Sequence, residues 1–384
     1  MNGVLAKERL VLSREHADRE NEITQVSLTD FPGIRIGQAE NRQGGTGITV
    51  LLSEDPKGMA AGLHIGGGGP ASRETGILDP TTTAGRIHAA VLGGGSAFGL
   101  DAAGGVMRYL EEKGIGVEVR NIHVPLVTQV DIFDLPAGDP HVRPDQAMGY
   151  EACKLSEKEG GNYQDGCHGA GCGATIGKYA GEGHAMKSGI GACVLRQKDL
   201  MVGAIVAVNA FGDIYDWKTG QKIAGAYAED GRLYDRTEML SCLRKIEMIR
   251  STADQDDPAG TQKEEPDTAG AVSHSPDAAL NTTIGIVFTN APFSKPQLCK
   301  IAAMAHDGFA RSIAPVHTSG DGDSIIALSI PGKAADGSGT EPVNAGIDTV
   351  GTLAAWASSE AILQGVKSAE SAYGFKALRD VEIR

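Results

Sequence analysis

The chain has 384 residues, of which 41% are hydrophobic and only 5% aromatic, and it carries a formal net charge of -14. This length can bury a large core in one domain or in a few smaller ones, and the 53 glycines favour a loop-rich α/β protein with many tight turns. No dense run of Lys or Arg occurs, so we expect no binding to nucleic acid or to anionic membranes, because phosphate binding needs clustered cations.

The chain begins with residues that follow neither the helical nor the strand period, and we predict that residues 1–25 form a polar arm. The arm lacks the apolar core of a signal peptide. No run of about 18 apolar residues, which a membrane span would need, occurs in the sequence. We therefore expect a soluble, cytoplasmic protein.

Strands and helices alternate in the first half of the chain. Short apolar runs bounded by Gly and Pro predict strands over residues 48–53 and 59–65. Downstream, apolar residues at helical spacing, followed by a glycine in the capping position, predict a helix. These residues are Leu100, Ala103, Met107, Leu110 and Gly114. The segment "IGVEVRNIHVPLV" then predicts a further strand.

The middle of the chain combines a buried strand with a polar tract. The segment "LMVGAIVAVN" consists almost wholly of small and β-branched residues, which predicts a strand that is buried on both faces and ends at Asn209. A helix is predicted over residues 237–251. Residues 252–281 contain seven acidic residues, one lysine and no aromatic residue. Such a tract cannot bury enough apolar surface to order itself, so we predict a flexible linker.

Hydrophobic periodicity resumes after this linker. It predicts strands over residues 283–290 and 323–330 and helices over residues 295–314 and 345–366. The last helix is rich in small residues and is therefore expected to pack closely against a neighbour.

Two glycine loops, Gly66–Gly69 and Gly93–Ser96, follow apolar strands. Backbone amides in such loops can bind an anion or an oxyanion. The run "GAGCGATIGK" comes nearest to a nucleotide-binding loop, but Tyr179 follows its lysine where Ser or Thr is needed. We therefore favour structural glycines or an oxyanion pocket over phosphate binding.

The six cysteines form no C-x-x-C pair and are expected to be free thiols. Cys167, His168 and Cys172 could begin a zinc site, but no second pair of ligands completes it. We predict neither a metal nor a cofactor.

The bond between Asn281 and Thr282 lies where the acidic tract meets a predicted strand. It matches the N-glycosylation pattern, but a chain without a signal peptide would not be glycosylated. A second interpretation, which spacing alone favours, is an ordinary strand start. A third is a self-cut, in which the Thr282 hydroxyl attacks the Asn281 carbonyl. The freed α-amine of Thr282, with a pKa near 7.7–8.0, could then take the hydroxyl proton.

Several motifs, in the same order, resemble those of a self-processing hydrolase family. They are "GGGSAFGLDAAGGVMRYLEEKG", "GAGCGATIGK", "AIVAVNAFGD" and "NTTIGIVFTNAPFSKPQLCKIAAMAHDGFARSIAPVHTSGDGD". The family comprises the L-aminopeptidase/D-amidase, the β-peptidyl aminopeptidases and the nylon-oligomer (aminohexanoate-oligomer) endohydrolases. The resemblance runs from about Asp30 to the C-terminus and leaves out only the arm and the linker.

This resemblance implies a layered αββα sandwich of the kind that self-processing aminopeptidases and ornithine acetyltransferases share. It divides one hydrolase domain into an α-chain part, residues 26–251, and a β-chain part, residues 282–384, which stay associated after the cut. It also implies a homo-oligomer of αβ units.

The resemblance further implies an N-terminal-nucleophile mechanism with Thr282 as the nucleophile. Asn209 would donate to the oxyanion, and Lys178 would donate to developing charge near the scissile carbonyl. Asp321 and Asp323 would hold the new α-ammonium or orient the nucleophile. The family's active-site tyrosine falls near Phe133, so the pocket of this chain would be more apolar there. His306 and His317 are expected to be structural.

The expected activity is hydrolysis of an amide bond in a small peptide or amide. Short peptides, β-peptides, D-amino-acid amides and ω-amino-acid oligomers all remain open as substrates. One alternative is an acyltransferase of the ornithine-acetyltransferase kind with the same self-cut threonine. Another is a non-catalytic small-molecule binding protein that uses the glycine loops.

Overall fold

The structure is a computed structural model that describes residues 22–256, 281–331 and 343–382. The helices of these residues are α1 (Ala102–Glu112), α2 (Gln146–Leu155), α3 (Arg236–Asp256), α4 (Lys295–Ser312) and α5 (Ile347–Ser368). The strands are β1 (Thr24–Val26), β2 (Ile34–Asn41), β3 (Thr46–Ser53), β4 (Ala60–Ile65), β5 (Ala71–Arg73), β6 (Ala89–Gly93), β7 (Val117–Val119), β8 (Ile122–Val124), β9 (Val127–Asp131), β10 (Thr175–Ile176), β11 (Met186–Lys187), β12 (Ile190–Gln197), β13 (Leu200–Asn209), β14 (Asp213–Tyr215), β15 (Lys222–Ala224), β16 (Thr282–Thr289), β17 (Ile313–Ala314), β18 (Ser324–Ser329) and β19 (Lys376–Ala377).

Two sheets stack face to face between two pairs of helices. One sheet has six strands in the order β1-β12-β13-β16-β18-β4, and the other has five in the order β2-β3-β6-β9-β5. Apolar side chains from both sheets, such as Leu51 and Ile286, meet in one buried cluster between them. A second cluster joins the five-stranded sheet to α1 and α2, and a third joins the six-stranded sheet to α4 and α5. The predicted αββα sandwich is therefore confirmed.

Strands β13 and β16 lie in the middle of the six-stranded sheet and are buried on both faces. Along β16, Ile284 and Ile286 point between the sheets, while Val287 points toward the helices. Both faces are apolar, which explains the nearly continuous hydrophobic runs of these strands. The two strands pair antiparallel, and the register sets Asn209 opposite Thr282.

Helices α4 and α5 pack closely, as the small residues of α5 predict. A Cβ on Gly308 of α4 would lie 2.2 Å from the carbonyl oxygen of Ala355 in α5. The contact distance therefore requires glycine at this position. None of the helices in the described ranges is long and apolar enough to cross a membrane.

The structure departs from the predicted elements in several places, of which the following bear on the layout of the chain. Thr24 and Gln25, assigned to the polar arm, form part of β1, because this segment pairs with β12 and buries Ile23. Helix α3 continues to Asp256 and so covers the first residues assigned to the linker. The single strand predicted from "IGVEVRNIHVPLV" is the hairpin of β7 and β8 followed by the start of β9. Helix α2 was not predicted. The rest of the linker up to residue 280 and most of the arm lie outside the described residues.

Candidate active site

Thr282 is the first residue of β16, and both it and Asn281 are buried. The Thr282 hydroxyl donates a hydrogen bond to the carbonyl oxygen of Asn281, its own preceding residue. The backbone N–H of Gly322 donates to the same oxygen over 3.1 Å. The hydroxyl of Thr282 and a backbone donor therefore both contact the carbonyl group of the Asn281–Thr282 bond.

Asn209 ends β13 directly across from Thr282. Its Oδ1 accepts from Nζ of Lys178 at 2.8 Å and from the backbone N–H of Thr175 at 3.0 Å. Its Nδ2 donates to the carbonyl oxygen of Phe133 at 2.8 Å. Because a lysine ammonium can only donate, these partners fix which way the Asn209 amide points. One hydrogen on Nδ2 remains beyond the bond to Phe133, since a primary amide has two.

Lys178 brings a positive charge to this end of the sheet. Its Nζ also donates to the backbone carbonyl of Asn209 at 3.0 Å. Part of the side chain is accessible, but the ammonium lies deep enough that burial lowers its pKa to about 7. The carboxylates of Asp321, Asp134 and Asp323 act in the opposite direction and favour the charged form. Lys178 can therefore gain or lose its proton near neutral pH.

Asp321 and Asp323 are both buried, at 2% and 1% exposure. Oδ1 of Asp323 accepts from the backbone N–H of Thr283 at 2.6 Å, so this carboxylate holds the strand immediately after Thr282. Oδ2 of Asp321 accepts from the backbone N–H and the hydroxyl of Thr318 at 2.7 and 2.6 Å. Burial, reinforced by repulsion from Asp323, raises the pKa of Asp321 to about 6.

His317 and His306 line the far side of Asp323. Nδ1 of His317 lies 2.7 Å from Oδ2 of Asp323, and the backbone N–H of His317 also donates to that oxygen at 3.1 Å. Nε2 of His317 lies 3.2 Å from Nδ1 of His306. His317 thus contacts a predicted site residue directly, and His306 is linked to that residue through His317.

The glycine loop Gly66–Gly69 supports the loop that carries the two aspartates. The amides of Gly66 and Gly69 donate to the carbonyl oxygens of Asp323 and Asp321 at 2.9 and 2.8 Å. A Cβ on Gly67 would lie 2.2 Å from the carbonyl oxygen of Asp321. The other loop, Gly93–Ser96, donates its amides to Gly47, Ile132 and the buried side chain of Asp134. These backbone amides of both loops are therefore hydrogen-bonded to other parts of the protein.

The five predicted site residues converge on the Asn281–Thr282 bond: Asn209 from β13, Thr282 from β16, Asp321 and Asp323 from the loop before β18, and Lys178 from a 3-10 turn after β10. Their catalytic roles stay predictions. Further residues contact them although the sequence analysis assigned these residues no role in the site, among them Gly322, His317 and Thr175. The sequence signal for His317 is its position six residues before Asp323 in the turn-rich segment "HTSGDGD", which does not by itself predict the contact of the ring with that carboxylate.

All six cysteines are free, as predicted. Cys167 and Cys172 contact protein groups. The thiol of Cys167 lies 3.4 Å from the carbonyl oxygen of Glu370, and the thiol of Cys172 lies 3.4 Å from the hydroxyl of Tyr373. Across the described ranges, no cluster of three or more His, Cys, Asp or Glu side chains is arranged to hold a metal ion.

Comparisons with known proteins find a matching family model and related chains. A family model described as Peptidase family S58 matches residues 26–379. An uncharacterized aminopeptidase of Mycobacterium leprae is 35% identical over 363 residues, which are 91% of this chain and 92% of that protein. A 6-aminohexanoate-oligomer endohydrolase of Kocuria sp. is 30% identical over 345 residues, which are 88% of this chain and 85% of that protein.

Solved structures share the fold at lower identity. The L-aminopeptidase D-Ala-esterase/amidase of Ochrobactrum anthropi, described as a variant of the Ntn hydrolase fold, superposes with a TM-score of 0.56 at 18% identity. The superposition covers 92% of this chain and 87% of that one. A β-aminopeptidase of Burkholderia sp. gives a TM-score of 0.54 at 19% identity and covers 93% of this chain and 94% of that one.

Proposed function

The chain belongs to peptidase family S58, a family of amide-bond hydrolases, and we propose that it matures by cutting its own Asn281–Thr282 bond and then uses Thr282 as an N-terminal nucleophile. The observation that carries the proposal is the contact of the Thr282 hydroxyl with the carbonyl of Asn281 at the start of a central strand. A side chain held by a rigid strand beside the carbonyl that it must attack loses little freedom on reacting.

The self-cut begins when Oγ1 of Thr282 attacks the carbonyl carbon of Asn281. The C–N bond breaks, the hydroxyl proton passes to the departing nitrogen, and an ester joins Asn281 to the threonine side chain. Negative charge develops on the carbonyl oxygen in the transition state, and the N–H of Gly322 already donates to that oxygen. Water then hydrolyses the ester and leaves a carboxylate on Asn281 and a free α-amine on Thr282.

Turnover repeats this chemistry on an external amide. The new α-amine takes the proton of the Thr282 hydroxyl, and Oγ1 attacks the substrate carbonyl. The C–N bond of the substrate breaks, and the α-ammonium returns the proton to the departing amine. Water hydrolyses the resulting acyl ester. The remaining hydrogen of Asn209 Nδ2 and the nearby Lys178 ammonium supply donors for the developing oxyanion. Asp321, whose carboxylate is buried and whose backbone pairs with Asn281, balances the α-ammonium or the ammonium group of a substrate.

The two fragments stay associated after the cut in this proposal. Strand β16 lies between β13, from the α-chain part, and β18, from the β-chain part. Helix α5 packs against β13 and β12, so the β-chain part contributes both a central strand and a covering layer. Separating the fragments would expose the core on both faces of the sheet.

We propose short amides with a free amino group as substrates, because the buried carboxylates can balance an ammonium ion. A panel of p-nitroanilides made from α-, β-, D- and ω-amino acids tests this directly. Release of p-nitroaniline by the parent chain, with none from Thr282→Ala, supports the proposal. Equal release by both chains contradicts it, because the nucleophile would then lie elsewhere.

A further inference from the structure

A row of hydrogen bonds leads away from the reacting bond through Asp323. One oxygen of Asp323 accepts from the Thr283 amide, and the other faces Nδ1 of His317. Nε2 of His317 faces Nδ1 of His306, and Nε2 of His306 faces the backbone carbonyl of His64 at 3.1 Å. This row runs from the strand that carries Thr282 to the edge strand β4.

The partners at the two ends determine where the hydrogens lie. A carbonyl oxygen only accepts, so Nε2 of His306 carries a hydrogen. His306 is 5% exposed, and burial lowers its pKa to about 4, so it is neutral near pH 7 and its Nδ1 must accept. Nε2 of His317 therefore donates to it. A carboxylate also accepts, so Nδ1 of His317 carries a hydrogen as well.

We propose that His317 is held as an imidazolium ion whose charge balances Asp323, and that it is a positioning residue for Thr282. The inference rests on the proposed function. The imidazolium fixes the Asp323 carboxylate, which fixes the Thr283 amide and with it the start of β16. It also balances the charge of one of two adjacent buried carboxylates.

The surroundings of His317 support a fixed position for this ring. Its backbone has a φ of +56°, a left-handed conformation that non-glycine residues rarely adopt and that surrounding contacts must stabilise. The ring stacks on Phe309 with centroids 6.2 Å apart. A Cβ on Gly66 would lie 2.9 Å from Nδ1 of His317, so glycine is needed beside it.

Among the described residues, the charged and titratable groups around this row include Lys300 of α4, which interacts electrostatically with His64. His317 faces Asp323 and His306 directly, and His64 contacts His306 edge to face at 5.0 Å. Lys178 and Asp321 lie on the other side of Asp323 and interact with it electrostatically. Asp323 and His306 thus contact the two ring nitrogens of His317.

A spectroscopic measurement tests the charge without any activity. In ¹⁵N spectra of the full-length Thr282→Ala chain at pH 7, both ring nitrogens of His317 should give the protonated signature. The resonances are assigned by their loss in the chain that also carries His317→Asn. A pyridine-like, unprotonated nitrogen at His317 overturns the inference.

Kinetics test the positioning role. His317→Asn removes the charge but suits the left-handed backbone, since asparagine is among the residues that tolerate it best. We expect self-cleavage and kcat to fall about 10-fold to 100-fold with KM little changed, because a charge-assisted hydrogen bond to Asp323 is lost. His184→Asn is the matched control, because its ring also bonds through Nδ1, to the carbonyl of Tyr227 at 3.0 Å, but does not contact Asp323.

The outcomes separate the two proposals. If His317→Asn matures and turns over at the parent rate, the positioning role is wrong. If no chain cleaves or hydrolyses anything while His317 still shows two protonated nitrogens, the proposed function is wrong and the charged pair is retained as a structural feature.

Discussion

The backbone N–H of Gly322 donates a 3.1 Å hydrogen bond to the carbonyl oxygen of Asn281. A Cβ at position 322 would lie 2.8 Å from Oγ1 of Thr282 and 3.0 Å from the carbonyl oxygen of Gly69. Gly322→Ala should therefore displace the hydroxyl and slow self-cleavage by about 100-fold, the effect of a misplacement of about 1 Å. Pulse labelling followed by denaturing electrophoresis measures the rate. Gly183→Ala, where a Cβ would meet nothing within 4 Å, is the control, and equal rates for both variants contradict the expectation.

Asn209 and Asn290 offer a matched pair for the oxyanion role. Asn290 follows the far end of β16, and its side chain also bridges two backbone groups, donating to Asp199 at 2.7 Å and accepting from Met201 at 2.9 Å. Asn209→Asp and Asn290→Asp should both lower the free energy of unfolding, because each sets a carboxylate oxygen against a backbone carbonyl. Only Asn209→Asp should lower kcat, by about 100-fold or more. Thermal melts and steady-state kinetics measure the two effects, and a matching kcat loss in Asn290→Asp would assign the effect to stability.

The pKa of Lys178 predicts an alkaline decline in the self-cut. Burial lowers this pKa to about 7, so the ammonium form is lost as the pH rises through that value. The uncut chain has no α-amine at Thr282, so its cleavage rate should fall as the pH rises from about 6 to about 9, an expectation that follows from a lysine donor. Lys178→Arg, which stays protonated, should lose this decline. A parent rate that stays level or rises over this range would exclude Lys178 as the donor.

The lowered pKa of Lys178 also predicts that the free energy of unfolding depends on pH. Between pH 7 and 10.5 the unfolded chain binds the Lys178 proton while the folded chain does not. The free energy of unfolding contributed by this group therefore rises with pH across that window, because stability rises wherever the unfolded state binds more protons. Denaturant titrations of the parent and Lys178→Met at several pH values should differ in this direction. A difference that is independent of pH would mean that Lys178 does not change its protonation between the two states.

The close contact of α4 with α5 predicts a stability effect away from the site. Gly308→Ala would press a methyl group against the carbonyl oxygen of Ala355, which a Cβ would approach to 2.2 Å. Overpacking of this kind costs about 1–3 kcal/mol. Gly85→Ala, with nothing within 4 Å of a new Cβ, should leave the melting temperature unchanged. If Gly308→Ala and Gly85→Ala both have the melting temperature of the parent, the approach of a Cβ on Gly308 to the carbonyl oxygen of Ala355 is less close than 2.2 Å.

Sequence patterns predicted the elements whose buried positions are occupied by apolar residues, in continuous runs or at helical spacing. Strands β13 and β16 are apolar on both faces, and α4 shows Leu298, Ile301 and Ala305 at helical spacing on its buried side. Helix α2 was missed because its buried face is made of Gly149, Ala152 and Cys153, which give little periodicity. A Cβ on Gly149 would lie 2.1 Å from the carbonyl oxygen of Ala102, so that contact with α1 depends on tertiary packing rather than on helix propensity.

The sequence could predict individual site residues within local motifs, but not how these residues are arranged relative to one another. Thr282 and Asn209 stand at the ends of recognisable strands, but the register that sets them opposite each other is a long-range pairing. Gly322 was missed because its role depends on a single backbone bridge between Asn281 and Asp321, to which no local pattern points. His317 was set aside because neither of its ring contacts, to Asp323 and His306, can be inferred from spacing alone.

The central claim is the self-cut between Asn281 and Thr282, and the full-length chain tests it directly. Purified protein is run on a denaturing gel, and each band is identified by N-terminal sequencing, with Thr282→Ala run alongside. We predict two fragments for the parent, the smaller of which begins at Thr282, and a single uncut, inactive chain for Thr282→Ala. A parent that remains one intact chain and hydrolyses amides at its full rate would contradict the claim.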